Sequence, residues 1–253
     1  MDALERVAHR GGSALAPENT MAAFRNALRL SVDAIEFDVQ MSKDGHAIVF
    51  HDNTVQRLTD GTGNILDLDF AYLRSLNAAA RFAGGWSQPE RIPLSREVLE
   101  LARGQARVYL EIKTGKRGEV QENYPQIVET VVDEIRSADM ISQTLVIAFD
   151  WSLLRRVKEL EPAIQTGALA STQMWSSLSS PALETLVTLV TSLGCQWVNM
   201  DCRSFSEEMP SVLHQRGLKL GLWTVNTLED LRRFAAAGVD SLTTDHPDLF
   251  ARL

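Results

Sequence analysis

Eight strand-like runs alternating with helix-like segments over 253 residues predict an α/β protein built as a (β/α)8, or TIM, barrel. A doubly wound open sheet has the same alternation. The barrel is selected because the candidate polar residues fall late in their strands, at the rim where barrel active sites assemble. Length agrees, since ~250 residues is typical of one such barrel.

In chain order, RVAH (6–9) reads as the first strand, Asn19–Leu30 as a helix and AIEFDVQ (34–40) as the second strand. AIVFHD (47–52) is an extra strand-like continuation after the Lys43-Asp44-Gly45 turn. VYLEIK (108–113) is followed by a helix over roughly Asn123–Ser137, and TLVIAF (144–149) by a helix with Leu153, Leu154, Val157 and Leu160 at helical spacing. QTGAL (165–169) and WVNMD (197–201) flank a helix starting near Ser180-Pro181, where proline follows a capping serine. KLGLWTVN (219–226), a helix from Thr227 to about Ala237, and SLTTDH (241–246) close the chain.

Residues 53–91 interrupt the alternation. They are rich in Gly, Asp and Asn and carry Phe70, Tyr72, Phe82 and Trp86. The stretch is too long for a plain loop in a compact barrel, so it reads as a small inserted cap, either a structural segment tucked against the barrel side or a lid that shapes the substrate pocket. The whole of 1–253 is then one barrel domain with this insertion.

Composition narrows the function. With 25 basic and 33 acidic side chains the net charge is −8, and no Lys/Arg run is present. Nucleic acid and an anionic membrane surface are poor partners for such a chain. No apolar stretch approaches the ~20 residues of a membrane span, and MDALERVAHRGG lacks the apolar core of a signal peptide. A cytoplasmic setting without stable membrane insertion is expected, with homo-oligomerisation left open. Cys195 and Cys202 make no disulfide framework and receive no chemical role.

The stretch 34–52 is the most informative. Glu36 and Asp38, two apart on an otherwise apolar strand, project from one face. Two buried carboxylates side by side repel unless a proton or a hard cation neutralises them, which points to a metal site. His51 follows at the end of the next strand-like run. His9 and Arg10 end the first strand, and a guanidinium matches two phosphate oxygens. Asn19 or Thr20 can cap the next helix. Glu111 and Lys113 again share a strand face, as a third carboxylate and a cation for an anionic ligand; a buried ion pair would explain these two alone. Trp223 is a platform for the non-phosphate part of a substrate or a core residue, and Asn226 a candidate cap. His46, His214 and His246 read as structural.

Together these residues resemble the glycerophosphodiester phosphodiesterase family, within the phosphatidylinositol-specific phospholipase C-like barrels. The matching elements are HRG with PENT (His9–Gly11, Pro17–Thr20), Glu36-x-Asp38, Lys43–Gly45, His51-Asp52, Arg57 and Thr59, Gly61 and Gly63, the IPL segment, Glu111–Lys113, Trp223–Asn226, and Thr244, Asp245 and Pro247. They span about Val7 to Leu249. Ala148-Phe149-Asp150 stands where many relatives read SFD, and Leu94-Ser95 replaces a usual Thr-Leu. The resemblance implies one divalent cation, Mg²⁺ or Ca²⁺, on Glu36, Asp38 and Glu111. It implies His9 and His51 as an acid–base pair, and Arg10 and Lys113 on the phosphate. It also implies hydrolysis of a small glycerophosphodiester to glycerol 3-phosphate and an alcohol, through a cyclic phosphate formed by the substrate's own hydroxyl.

Other readings remain open at this level. One is a lysophospholipase D-type phosphodiesterase. A glycosidase would also use paired carboxylates on a barrel, but without metal dependence. A non-catalytic phosphoester-binding barrel would normally lack a ligand or a histidine, and all are present here.

Overall fold

Along a strand successive side chains alternate sides, and that alternation sorts this chain into two layers. In the second strand Ile35, Phe37 and Val39 join the large cluster between strands and helices, while Ala34 joins a smaller cluster inside the barrel. Glu36 and Asp38 take the same inward face as Ala34. The inner cluster comprises Val7, Ala34, Tyr109, Leu145, Ile147, Leu169 and Trp197, with Trp223 packed against it. The barrel is therefore filled below and polar above.

The computed structural model describes residues 3–30, 32–117, 120–122, 124, 126–178 and 182–253. The barrel strands are β1 (Glu5–Ala8), β2 (Ala34–Met41), β3 (Arg107–Ile112), β4 (Thr144–Ala148), β5 (Gln165–Ala170), β6 (Trp197–Asp201), β7 (Lys219–Trp223) and β8 (Ser241–Thr244). All neighbours are parallel, and β1 pairs with both β8 and β2, which closes the ring. The (β/α)8 barrel is the fold.

Helices α1 (Met21–Arg29), α2 (Phe70–Ser75), α3 (Ser95–Ala102), α4 (Ile127–Ser137), α5 (Trp151–Leu160), α6 (Thr172–Ser177), α7 (Ala182–Ser192), α8 (Met209–Gln215) and α9 (Leu228–Ala236) fill the connections. Their apolar stripes explain their seating: α4 buries Ile127, Val128, Val131, Val132 and Ile135 at helical spacing. The expected helix starts at Asn123 and at Ser180-Pro181 lie outside the described residues. Among the described residues no helix is long and apolar enough to cross a membrane.

Several strands end sooner than the apolar pattern suggests. β1 stops before His9, β3 before Lys113, β4 before Phe149, β7 before Thr224 and β8 before Asp245. These residues leave the ladder at the C-terminal rim, where backbone released from pairing can aim side chains at a common centre. Ala47–Val49 is a short strand antiparallel to β2, with Val39 opposite Val49. His51 and Asp52 lie beyond it.

Residues 53–91 hold α2 and two short 3-10 turns, Val55–Arg57 and Ile65–Asp67. Ile48, Phe50, Val55, Ile65, Leu73, Leu76, Ala78, Ile92 and Leu94 form their own apolar cluster, separate from the barrel core.

Candidate active site

The C-terminal ends of the strands surround a cavity of about 170 Å³. His9, Arg10, Glu36, His51, Glu111, Lys113 and Trp223 all line it, so seven of the eight residues singled out from sequence converge there. The eighth, Asp38, is 1% exposed and lies directly behind them. Tyr109, Ile147, Leu169, Asn199 and Thr243 complete the floor, and Phe149 joins Trp223 at the mouth. No described residue of 53–91 lines this cavity.

The carboxylates come together through strand register. Asp38 on β2 lies opposite Glu111 on β3, and Glu36 is two residues back on the same face. Each of the three offers an oxygen within 4.8 Å of the others. Burial, and then the negative charge of Asp38, push the Glu36 carboxyl well above its ordinary pKa. Burial also raises Glu111, whereas for Asp38 the nearby Lys113 and Arg10 outweigh burial and hold it low. Three buried oxygen donors with this mutual repulsion fit a hard divalent cation.

Two cations flank the cluster. Lys113 Nζ sits 2.8 Å from Glu111 Oε1 and 3.4 Å from Asp38 Oδ1. Arg10 follows β1 in the left-handed region at φ 50°, which turns its backbone N–H onto Glu36 Oε2 at 2.9 Å. Its guanidinium bonds Glu18 through Nη1 at 2.8 Å, while Nε, 3.4 Å from Asp38, is buried without a hydrogen-bond partner. A buried unpaired donor is costly and suits an anionic ligand oxygen.

Both histidines are oriented by an aspartate. His9 Nδ1 lies 2.6 Å from Asp245 Oδ1, and His51 Nδ1 lies 2.7 Å from Asp52 Oδ1. A carboxylate only accepts, so each ring carries its proton on Nδ1 and keeps Nε2 for proton exchange. Burial disfavours the His9 imidazolium, but the bond to Asp245 and the charge of Glu36 outweigh it and raise the pKa.

Sequence reasoning left several members without a role. Asn19 was a candidate cap; the cap is Thr20, whose hydroxyl accepts from Ala23 N, while Asn19 Nδ2 donates to Asp38 Oδ2 at 2.8 Å. Asn226 likewise does not cap α9, a job done by Thr227; its Nδ2 donates to Asp245 Oδ2 at 2.6 Å. Glu18, Asp52, Arg57 and Asp245 lie inside the matching motifs, but the Arg57–Glu18 and His9–Asp245 contacts join residues 39 and 236 positions apart. The one available signal is position: Asp245 directly follows β8, as His9 follows β1.

The profile of the Glycerophosphoryl diester phosphodiesterase family matches residues 9–249. The chain belongs to this family. A glycerophosphodiester phosphodiesterase of Caldanaerobacter subterraneus subsp. tengcongensis is 35% identical over 248 residues, 98% of this chain and 96% of that protein. The crystal structure of a putative glycerophosphoryl diester phosphodiesterase from Silicibacter pomeroyi superposes with a TM-score of 0.87 at 26% identity, covering 99% and 92% of the two chains. A phosphodiesterase from Oleispira antarctica, solved with its product sn-glycerol-3-phosphate, gives 0.83 at 26% identity over 98% and 95%. As a family member the chain is an enzyme, a phosphoric diester hydrolase.

Proposed function

We propose that this phosphodiesterase hydrolyses small glycerophosphodiesters to glycerol 3-phosphate and an alcohol, with His9 and His51 as its acid–base pair. The observation that carries this reading is the pairing of two aspartate-oriented imidazoles with three buried carboxylates and two cations around one cavity. The product complex of the Oleispira antarctica relative supports the substrate class.

Glu36, Asp38 and Glu111 would hold one divalent cation, Mg²⁺ or Ca²⁺, which when bound supplies charge stabilisation to a phosphoryl oxygen. Arg10, whose buried Nε has no hydrogen-bond partner, and Lys113 bind the other phosphate oxygens. One histidine removes the proton from the glycerol hydroxyl next to the phosphate, and that oxygen attacks phosphorus. The other histidine protonates the departing alcohol oxygen as its bond to phosphorus breaks. Water then opens the cyclic phosphate with the proton transfers reversed. Trp223, fixed by its Nε1 on Asn199 O at 3.0 Å and edge-on to Phe149, forms the wall on which the substrate's organic part rests. Residues 1–253 act as one barrel unit, with 53–91 as an insertion supporting the His51 side.

A pair of substrates tests the reading. Glycerophosphocholine is expected to release glycerol 3-phosphate, whereas its analogue lacking the neighbouring hydroxyl is expected to bind and inhibit without turnover. Comparable turnover of the analogue would contradict the internal nucleophile.

A further inference from the structure

The insertion lines none of the cavity, yet one of its side chains touches both halves of the site. Val55, fully buried in the insertion's apolar cluster, anchors the turn Val55–Arg57 and so fixes where Arg57 starts. From there the guanidinium makes two forks. Nη2 donates to Asp52 Oδ1 at 2.9 Å, and Nε donates to Asp52 Oδ2. Nη1 donates to Glu18 Oε2 at 3.1 Å, and Nη2 also donates to Glu18 Oε1 at 2.8 Å.

Each carboxylate passes the constraint inward. Asp52 Oδ1 is the same oxygen that His51 Nδ1 meets at 2.7 Å. Glu18 Oε1 is the same oxygen that Arg10 Nη1 meets at 2.8 Å. An unbroken series His51–Asp52–Arg57–Glu18–Arg10 therefore crosses the mouth of the barrel. Its middle member belongs to the insertion and its ends line the cavity.

We propose that Arg57 is a positioning residue that couples the tautomer and aim of His51 to the aim of the Arg10 guanidinium, so that the insertion sets both proton transfer and phosphate binding. Two planar forks are needed to hold two carboxylates at once, a geometry a lysine ammonium cannot reproduce. Without Arg57, Asp52 is free to turn from His51. Glu18 then keeps Arg10 as its cationic partner and draws that guanidinium away from an incoming anion.

The kinetic part of this inference rests on the phosphodiesterase reading; the structural part does not. In Arg57→Ala, kcat/KM for glycerophosphocholine is expected to fall about 10–100-fold, with kcat lowered and KM raised together. Arg57→Lys is expected not to restore it. In a Glu18→Gln/Asp52→Asn background, Arg57→Ala is expected to add less than about a twofold further loss, because its route is already cut. Full activity in either Arg57 variant, or an undiminished effect in that background, would overturn the coupling.

Two readouts need no turnover. Isothermal titration with inorganic phosphate is expected to show weaker binding in Arg57→Ala, and ¹⁵N NMR is expected to show His51 shifting from the Nδ1–H form to a tautomer mixture. If both stay at wild-type values the coupling is wrong, whatever the activity. If the wild type leaves glycerophosphodiesters intact while both readouts move as expected, the substrate assignment fails and the coupling stands.

Discussion

The cavity's two histidines are each oriented by an aspartate, but different parts of the chain hold the two pairs. His9 and Asp245 leave adjacent parallel strands, with Ala8 paired to Thr244 immediately before them. Ser13 Oγ donates to Asp245 Oδ1 at 2.5 Å and Asn226 Nδ2 to Oδ2 at 2.6 Å, so that carboxylate is gripped from both sides. His51 and Asp52 belong to no barrel strand. Gln40 Nε2 ties their backbone to β2 by donating to Phe50 O at 2.7 Å and Asp52 O at 2.9 Å, and Arg57 ties the Asp52 side chain to the insertion. One pair is positioned by the closed ladder and the other by hydrogen bonds from Gln40 on β2 and from Arg57 on the insertion. The same chemical unit is thus rigid by topology on one side and by local packing on the other.

The largest expected effect falls on both sides equally. His9→Ala and His51→Ala should each lower kcat about 10²–10⁴-fold while leaving the far-UV spectrum unchanged, since neither ring is part of an apolar cluster. A much smaller loss in one would mean that only the other pair transfers protons in the slow step.

The next effect separates the sides. Ile65→Ala removes a fully buried side chain from the insertion's cluster and should cost about 2–5 kcal/mol. The cost should appear locally: hydrogen exchange should accelerate across 47–76 and the Nδ1–H of His51 should lose protection, while β1, β8 and His9 stay protected. Uniform acceleration over the barrel would show that the insertion and barrel unfold as one unit.

A smaller effect concerns acid. Burial alone would raise Asp52 and Asp245, but hydrogen bonds from His51 and Arg57 in one, and from His9, Ser13 and Asn226 in the other, hold both below the ordinary carboxylate range. The folded state then binds fewer protons than the unfolded chain. The stability from both is fully present above the unfolded value of about 4 and is lost as pH falls below it. Asp52→Asn and Asp245→Asn should each flatten the fall of Tm between about pH 5 and pH 2, measured by calorimetry.

Much of this was legible in the sequence because barrel periodicity and rim chemistry coincide. The i and i+2 spacing of Glu36 with Asp38, and of Glu111 with Lys113, gives a shared face before any coordinate is known. Strand register then supplies the contact between Asp38 and Glu111, which no local pattern encodes. Asn19 and Asn226 looked like caps because each precedes a helix. Their side chains turn instead to Asp38 and Asp245, residues 19 positions away in both cases. Arg57 and Glu18 are 39 residues apart, and only the packing of the insertion brings them together.

The most direct test of the account is a ³¹P NMR time course of glycerophosphocholine with the purified protein, run with Mg²⁺, with Ca²⁺ and with excess EDTA. The account predicts that the diester resonance decays to glycerol 3-phosphate with at least one of the two cations and that EDTA stops it. A diester that persists with either metal, or hydrolysis that continues unabated in EDTA, would contradict it.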